Sequence, residues 1–388
     1  MDKETAKMFN ETVIGTFAEA RNLVKNTALL PAALRFIKYQ REAVQIREKW
    51  MKEGLHVPPV IILSVTKRCN LRCAGCYHHA QNRQRQDITT EQMKKLFDEA
   101  QTLGVSVIPI AGGEPLTRKD IIPALMDYPK ILFPVFTNGL LIDEATAKTL
   151  RKHRNIVPII SIEGYREETD MRRGVGVYDE IMKRFKLLDK EGIFFGASIT
   201  VTSGNLDTVT SDEYVETLCE NGVQTIIYVE YVPFEHGSDG LVLSKEQRLR
   251  LMQRTEELRK KHYALFINFP GDEDKLGGCL AAGRGFLHIS QDGGVEPCPA
   301  SPFSDSNIGE MSLKEALRSQ LLAKIRETPH SLGDSVSGCA LFDKREWVQS
   351  LVQSPIQSTQ PQHLGLDLGV IPVIQVEVPA PLDGIRVA

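Results

Sequence analysis

The feature that most constrains the fold is a regular alternation of short apolar runs and helical segments between residues 57 and 270. The six runs are rich in valine and isoleucine, as strands buried on both faces of a parallel sheet are. They span Val60–Val65, Val105–Ile110, Ile131–Phe136, Val157–Ile162, Phe194–Val201 and Thr225–Tyr231. Helical patterns lie between them, near residues 90–103, 117–127, 143–153, 177–191 and 211–220. This order predicts an α/β protein with a partial parallel (β/α)6 TIM-like barrel, whose functional loops follow the strands on one rim.

The segments that flank this pattern predict four regions along the chain. We expect N-terminal helices in residues 1–56, the barrel in 57–270, a small cysteine-containing α+β extension in 271–350 and a Pro/Gln-rich tail in 351–388. Residues 21–41 contain several lysines and arginines and no acidic residue, interleaved with leucines. This segment is compatible with peripheral membrane contact, or with a helix that covers the barrel and keeps its basic face in water.

Composition narrows the setting in which the protein works. The 388-residue chain has a net charge of −3, which gives no general case for nucleic-acid binding. No apolar run is long enough to span a bilayer, and the N-terminal sequence lacks the layout of a signal peptide. The seven cysteines are clustered, which favours metal ligation over disulfides. We therefore expect a cytoplasmic protein, with membrane contact limited to the periphery.

Three cysteines lie together in the loop that follows the first apolar run. Cys69, Cys73 and Cys76 form a CxxxCxxC pattern, so three thiols can reach one metal cluster without help from the rest of the chain. Cysteine thiolates are the usual ligands of a [4Fe-4S] cluster, and three of them leave one iron open. An open iron can hold a substrate or cofactor, so the spacing favours chemistry over scaffolding. A zinc site that adds His78 or His79 is the alternative.

A second motif follows the next apolar run, at residues 112–115. Gly112 and Gly113 let the backbone approach a ligand closely, and the Glu114 carboxylate can receive an ammonium group. Together with CxxxCxxC, this Gly-Gly-Glu-Pro segment resembles the signature of the radical S-adenosylmethionine (SAM) superfamily. The resemblance implies that the open iron binds SAM, that residues 112–114 hold its amino group, and that an electron from the cluster cleaves SAM to methionine and a 5'-deoxyadenosyl radical.

The same resemblance assigns SAM contacts to residues at the ends of later strands. Asn138 belongs to a Thr-Asn-Gly segment after the third strand. Ser161 ends the fourth strand and would contact the ribose, and Thr202 would meet the ribose hydroxyls after the fifth. Arg173 would pair with the SAM carboxylate, a role that suits the guanidinium fork. No residue is assigned a catalytic role in the reaction of the substrate.

Several positions depart from the pattern of the superfamily. Its members usually have an aromatic residue just before the third cysteine, near the adenine, whereas this chain has Gly75 there. Tyr77, directly after that cysteine, is assigned either to this role or to packing. In the segment that begins at Ser161, Glu163 and Thr169 replace the usual Asp and His, which indicates a subfamily with its own substrate geometry.

The remaining cysteines suggest a second metal site in the C-terminal region. Cys298 follows a predicted β-hairpin whose turn is at residues 292–294, and this segment resembles part of the SPASM or "twitch" extension of radical SAM enzymes. Cys279, Cys298 and Cys339 are therefore candidate ligands of an auxiliary [4Fe-4S] cluster, although a full SPASM set has more cysteines. Unpaired thiols or zinc are the alternatives, and Cys219 is assigned to packing.

These expectations combine into one function with two rivals. The first hypothesis is a radical SAM enzyme that modifies a small-molecule or lipid-like substrate and receives its electron from ferredoxin or flavodoxin. The rival enzyme is a maturase of a peptide or protein, although residues 1–56 lack a clear pair of antiparallel strands for peptide binding. A non-catalytic iron–sulfur electron carrier is the remote alternative, because it would leave the Gly-Gly-Glu-Pro segment without a purpose.

Overall fold

The computed structural model describes residues 29–81, 86–276, 278–328, 335 and 337–353. Its strands are β1 (Val60–Ser64), β2 (Ile110–Ala111), β3 (Phe133–Thr137), β4 (Ile156–Ser161), β5 (Gly196–Val201), β6 (Thr225–Glu230), β7 (Leu265–Phe269), β8 (Phe286–Ile289) and β9 (Val295–Glu296). Its helices are α1 (Leu30–Lys52), α2 (Tyr77–Ala80), α3 (Thr90–Leu103), α4 (Ile121–Met126), α5 (Glu144–Lys152), α6 (Arg166–Arg173), α7 (Val177–Lys190), α8 (Leu206–Val209), α9 (Asp212–Glu220), α10 (Lys245–Lys261), α11 (Leu313–Ala316), α12 (Gln320–Glu327), α13 (Ala340–Asp343) and α14 (Arg345–Gln353).

The strands form a single sheet in the order β7-β6-β5-β4-β3-β2-β1-β8-β9. Strands β1 to β8 pair in parallel with their neighbours, and β8 and β9 form an antiparallel hairpin. This confirms the partial TIM-like barrel, and the sheet does not close on itself. It also extends beyond the six predicted strands, because β7 adds to β6 and the C-terminal hairpin adds to β1. The short run of β7 is interrupted by Asn268, so its apolar pattern is weak in the sequence.

The two faces of the sheet have different apolar contacts. Side chains alternate between the faces of a strand, and Ile61 and Leu63 of β1 are fully buried in the same core cluster as Phe97 of α3. A second cluster is built from strand residues, with Val157 and Ile159 of β4 against strands on both sides. The first cluster therefore lies under the helices, and the second forms the apolar inner face of the barrel.

Local signals in the sequence explain where the helices begin and end. At α3, the Thr89 side chain accepts a hydrogen bond from the Gln92 backbone, and the Gln92 side chain accepts one from the Thr89 backbone. This reciprocal arrangement satisfies amide groups that the first turn leaves unpaired. Gly104 ends α3 with a φ of 86°, a left-handed conformation that favours glycine. The structure thus gives α3 the bounds that the sequence predicts.

Helix α1 packs its buried face against the outside of the barrel. Gln40 accepts a hydrogen bond of 2.6 Å from the Ser106 hydroxyl, and Arg47 donates one to the Gly104 carbonyl. Arg35, Lys38 and Arg41 lie on the exposed side. From residue 30 onward the basic segment therefore covers the barrel, whereas its part at residues 21–28 lies outside the described residues. Membrane contact stays a prediction, and no helix in the described ranges is long and apolar enough to cross a membrane.

The C-terminal extension continues the barrel sheet instead of standing apart from it. Ile62 of β1 faces His288 of β8 in parallel register, and His288 faces Glu296 across the hairpin. Gly293 takes a φ of 87° in the turn, which confirms the hairpin predicted at residues 292–294. The predicted domain boundaries stay a prediction, and the tail beyond residue 353 lies outside the described residues.

Candidate active site

The first cysteine group lies in the loop between β1 and α2, at the carboxyl end of the barrel. Cys69, Cys73 and Cys76 are all partly exposed. Burial raises the pKa of the Cys69 thiol, and the neighbouring thiols of Cys73 and Cys76 raise it further. The Leu71 amide also points at the Cys69 sulfur, at 3.5 Å. The three predicted ligands therefore lie in one loop, where the charge of one thiol influences the others.

Gly112 and Gly113 hold the loop after β2 directly against this cysteine loop. The Gly113 amide donates to the Thr66 carbonyl and the Glu114 amide donates to the Arg68 carbonyl, both at 2.8 Å. A Cβ atom at Gly113 would lie 2.3 Å from the Arg68 carbonyl oxygen, and one at Gly112 would lie 2.7 Å from the Thr66 carbonyl oxygen. Only glycine fits at this distance, so the two loops form one packed backbone unit.

Replacing Gly113 by alanine is expected to separate the two loops. The clash is with backbone and cannot be relieved by a rotamer change, so we expect a loss of about 1–3 kcal/mol in the free energy of unfolding, as for an overpacked core. Denaturant unfolding of the metal-free chain measures this. Gly240→Ala is the matched control, because a Cβ there meets nothing within 4 Å. Equal stability of the two variants would contradict the close packing.

Glu114 is a buried carboxylate that ties three rim loops together. It is 1% exposed, and it accepts hydrogen bonds from the Thr137 hydroxyl and the Asn138 amide at 2.7 Å and from the Leu116 amide at 3.0 Å. Burial raises its pKa, and these donors counteract the shift. The Asn138 side chain in turn donates to the Asn70 side chain at 2.8 Å, within the cysteine loop. Glu114 and Asn138 are therefore both linked to the cysteine loop.

A buried ion-pair network lies on the other side of the cysteine loop. Glu163 is 1% exposed and pairs with both Arg172 and Arg173 of α6. Burial alone would raise the pKa of Glu163, but the two guanidinium groups outweigh it and lower the pKa. A nitrogen of Arg173 lies 3.8 Å from the Cys73 sulfur. Arg173 is thus next to the predicted cluster, with Glu163 as its partner.

The other predicted cofactor residues lie on the same rim with different contacts. Ser161 is partly buried at the end of β4. Thr202 follows β5, where its amide donates to the Asn205 side chain at 2.7 Å. Tyr77 begins α2, and its ring lies 5.9 Å from that of Phe234 between centroids. Burial raises the pKa of Tyr77, the Cys76 thiol raises it further, and a hydrogen bond with Ser64 lowers it.

The second cysteine group also comes together, in the C-terminal extension. Burial raises the pKa of Cys339 to about 11 and raises those of Cys279 and Cys298 further, and charge interactions link the three thiols. The Glu273 carboxylate is 6% exposed and contributes to all three shifts. Cys219 packs against the core as predicted, but it is partly exposed and not buried.

Sequence reasoning missed a buried polar chain on the inner face of the barrel. Ser64 of β1 lies 2.9 Å from His288 Nε2, and His288 Nδ1 lies 2.8 Å from Glu296. All three residues are at most 2% exposed. The hairpin prediction could have paired His288 with Glu296 across the turn. The contact with Ser64 joins residues 224 positions apart, for which the sequence offers no signal.

Within the described ranges, no group of three or more histidine, cysteine, aspartate or glutamate side chains is arranged to hold a single metal ion. Larger clusters place their ligands around several metal atoms, so this observation does not bear on them.

Comparisons with known proteins agree with this site. Residues 63–218 match the family model of the radical SAM superfamily. The chain is 28% identical to the Fe-coproporphyrin III synthase of Methanosarcina barkeri over 58% of its own length and 59% of that protein. It is also 28% identical to the subtilosin biosynthesis protein AlbA of Bacillus subtilis, over 67% of its length and 60% of AlbA. The chain thus spans about three fifths of the length of these two relatives.

A solved structure shows the same fold. SuiB of Streptococcus suis, in its complex with S-adenosylmethionine, superimposes with a TM-score of 0.61 at 19% identity, covering 79% of this chain and 77% of SuiB. In its complex with the precursor peptide SuiA, the TM-score is 0.60. The family match over residues 63–218, together with the CxxxCxxC and Gly-Gly-Glu-Pro motifs that it contains, shows that this part of the chain is a radical SAM domain.

Proposed function

We propose that this chain is a radical SAM enzyme that binds a [4Fe-4S] cluster through Cys69, Cys73 and Cys76 and SAM on the open iron. The observation that carries the proposal is the convergence of two rim elements on the cysteine loop. The Gly112–Gly113 segment packs on the backbone of the cysteine loop, and Arg173 reaches the Cys73 sulfur at 3.8 Å. A zinc knuckle would need neither of these contacts.

The residues present fit the cofactor that the superfamily uses. Three thiols in one loop, whose charges influence one another, are the donor set of a cluster with one open iron. When bound, such a cluster supplies the electron for the reductive cleavage of SAM. Arg173 keeps a positive charge beside the cluster, because Glu163 and the nearby thiols raise its pKa against the opposing effect of burial. A guanidinium group there can pair with the SAM carboxylate, as the resemblance implies.

Glu114 and the residues it binds set the position of the SAM end of the site. Its carboxylate already accepts three hydrogen bonds from the loops after β2 and β3. We assign it to fixing these loops and to providing negative charge for the SAM ammonium group. Asn138 extends the same network to the cysteine loop. Ser161 and Thr202 stay proposed ribose contacts, and Tyr77 a proposed wall of the adenine site.

We propose a second [4Fe-4S] cluster at Cys279, Cys298 and Cys339. The charge interactions among these buried thiols support a shared site, and the Ala300 amide points at the Cys298 sulfur at 3.5 Å. An aromatic path runs between the two cysteine groups. The ring of Phe234 lies 5.9 Å from that of Tyr77 and 5.1 Å from that of Phe342, which is close to Cys339 in the chain.

The proposed substrate is a small or lipid-like molecule held over the barrel mouth. The apolar inner face of the barrel offers a non-polar surface to such a ligand. One relative is named as an Fe-coproporphyrin III synthase, which supports a small molecule. A peptide substrate is the second candidate, because the fold resembles that of SuiB, whose structure was solved with a precursor peptide.

The proposed electron donor is a low-potential protein such as ferredoxin or flavodoxin. Lys67, Arg68 and Arg72 are exposed in the cysteine loop, and Lys119 lies nearby in the chain after the Gly-Gly-Glu-Pro segment. Basic side chains around the cluster would attract an acidic donor and speed its association, an effect that weakens as salt is added.

Anaerobic reconstitution with iron and sulfide tests the proposed function. We expect about eight irons per chain, since each [4Fe-4S] cluster contributes four, and formation of 5'-deoxyadenosine from SAM in the presence of dithionite. A Cys298→Ser variant should retain about four irons and still cleave SAM, because its change lies in the second group. A wild-type chain that holds only about four irons would contradict the proposal of a second cluster. Bound zinc without any 5'-deoxyadenosine would overturn the enzyme assignment.

A further inference from the structure

Tyr231 packs its side chain onto the middle of the cysteine loop. It follows β6 and is 3% exposed. A Cβ atom at Gly75 would lie 2.6 Å from the Tyr231 hydroxyl oxygen and 2.7 Å from its Cε2 carbon. Gly75 is buried between Cys73 and Cys76, with a φ of 65°. The ring of Tyr231 therefore occupies the space that any larger residue at position 75 would need.

The Tyr231 hydroxyl has an unusual environment for a buried phenol. Across the described residues, its oxygen is buried without a hydrogen-bond partner. The Gly75 amide, which is close to it, donates instead to the Glu235 carboxylate at 3.1 Å. A buried tyrosine hydroxyl usually finds a partner, because leaving one unsatisfied costs about 1–3 kcal/mol. The position of this hydroxyl thus points to an acceptor that the described residues do not supply.

A tyrosine within β6, the strand that precedes Tyr231, shows the usual arrangement. Tyr228 is fully buried three positions earlier, and its hydroxyl donates to the Val209 carbonyl at 2.8 Å. Burial of a tyrosine in β6 therefore does not by itself leave the hydroxyl without an acceptor. What distinguishes Tyr231 is its place against the segment that separates two predicted iron ligands.

We propose that the Tyr231 hydroxyl donates a hydrogen bond to the cofactor assembled on the cysteine loop, an inference that rests on the proposed function. The acceptor is an electron-rich atom in one of two places: a sulfur of the cluster or its thiolates, or an oxygen or nitrogen of the bound SAM. Hydrogen bonds with a charged partner are roughly twice as strong as neutral ones. A bond to cluster sulfur favours the reduced, more negative state, since such bonds help set the reduction potential. A bond to SAM favours its binding.

The test compares Tyr231→Phe with wild type and with Tyr228→Phe as the matched control. Phenylalanine keeps the ring over Gly75 and removes only the hydroxyl. Two properties are measured on anaerobically reconstituted protein. The first is the reduction midpoint potential of the first cluster without SAM, which is monitored by electron paramagnetic resonance. The second is the dissociation constant of SAM. All three proteins carry Cys298→Ser in addition, so that only the first cluster is observed. Thermal unfolding of the metal-free proteins establishes that each variant folds. The iron content after reconstitution establishes that each variant assembles its cluster.

The two possible acceptors predict different results for Tyr231→Phe. If cluster sulfur is the acceptor, the reduction equilibrium shifts about tenfold towards the oxidised state, which corresponds to about 59 mV for one electron. If SAM is the acceptor, the midpoint potential is unchanged. The dissociation constant of SAM then rises about tenfold, because one charge-assisted hydrogen bond is lost. In both cases the metal-free variant is at least as stable as wild type, because the hydroxyl has no hydrogen-bond partner among the described residues. Tyr228→Phe loses stability and changes neither cofactor property.

A Tyr231→Phe protein that matches wild type in both midpoint and SAM affinity would overturn the inference. So would equal shifts in Tyr228→Phe, since these would come from general loosening of β6. A wild-type chain that assembles no cluster would overturn the proposed function together with this inference. If wild type cleaves SAM and Tyr231→Phe matches it in midpoint and SAM affinity, the inference is overturned and the proposed function stands.

Discussion

Replacing Cys69, Cys73 and Cys76 together by alanine is expected to abolish 5'-deoxyadenosine formation completely. The three thiols are the only anchors that the proposal gives to the SAM-binding cluster, and alanine cannot ligate iron. After reconstitution the variant should hold about four irons fewer than wild type, since one [4Fe-4S] cluster is lost. Iron analysis and a dithionite-driven assay with SAM measure the two effects.

The control for this variant is Cys219→Ala, which removes a thiol of α9 that packs against the core and that the proposal assigns to neither cluster. It should keep the full iron content and the rate of SAM cleavage. Retention of 5'-deoxyadenosine formation in the triple variant would mean that the electron reaches SAM from another site. The assignment of the CxxxCxxC loop as the SAM-binding site would then be wrong.

Glu163→Gln is expected to destabilise the metal-free protein by about 3–5 kcal/mol, the usual cost of removing one partner from a buried ion pair. Glu163 is 1% exposed and balances two guanidinium groups, so glutamine would leave both positive charges without a carboxylate. Denaturant unfolding gives the free energy directly. Glu180→Gln is the matched control, because it removes a carboxylate that pairs with Lys183 and Arg184 at the surface and should change stability far less.

The contribution of Glu163 should also depend on pH in a defined direction. Its pKa in the folded chain is below the ordinary value of 4.5, because the pairing with Arg173 and Arg172 outweighs the effect of burial. The stability that it contributes is therefore complete above about pH 4.5 and is lost as the pH falls through the lowered pKa. The difference between wild type and Glu163→Gln should shrink over that acidic range. A difference that stays constant there would contradict an ionised Glu163.

Much of the barrel could be predicted because its signals are local. The apolar runs that became β3 to β6 are continuous, and the capping residues Thr89 and Gly104 mark both ends of α3. β7 was not predicted, because Asn268 breaks a short run and the strand is held by its pairing with β6. The place of β8 beside β1 was also beyond prediction, since parallel pairing joins segments far apart in the chain.

In the candidate site, too, the local motifs could be predicted from the sequence and the contacts between distant segments could not. The cysteine loop and residues 112–114 could be predicted, because each motif is short and its spacing carries the chemistry. The partners of the motif residues could not: Glu114 binds Thr137 and Asn138, and the Tyr231 ring lies on Gly75. Such contacts depend on how close separate loops come, and that distance is set by the packing of the whole rim.

The pairing of β8 with β1 also matters for anyone who shortens the chain. A fragment that ends before residue 286 would leave β1 with a row of amide and carbonyl groups facing solvent. Bare strand edges of this kind recruit other chains and lead to aggregation. The segment with the family match thus relies on a distant hairpin for its solubility, and cutting at residue 218 would divide one folding unit.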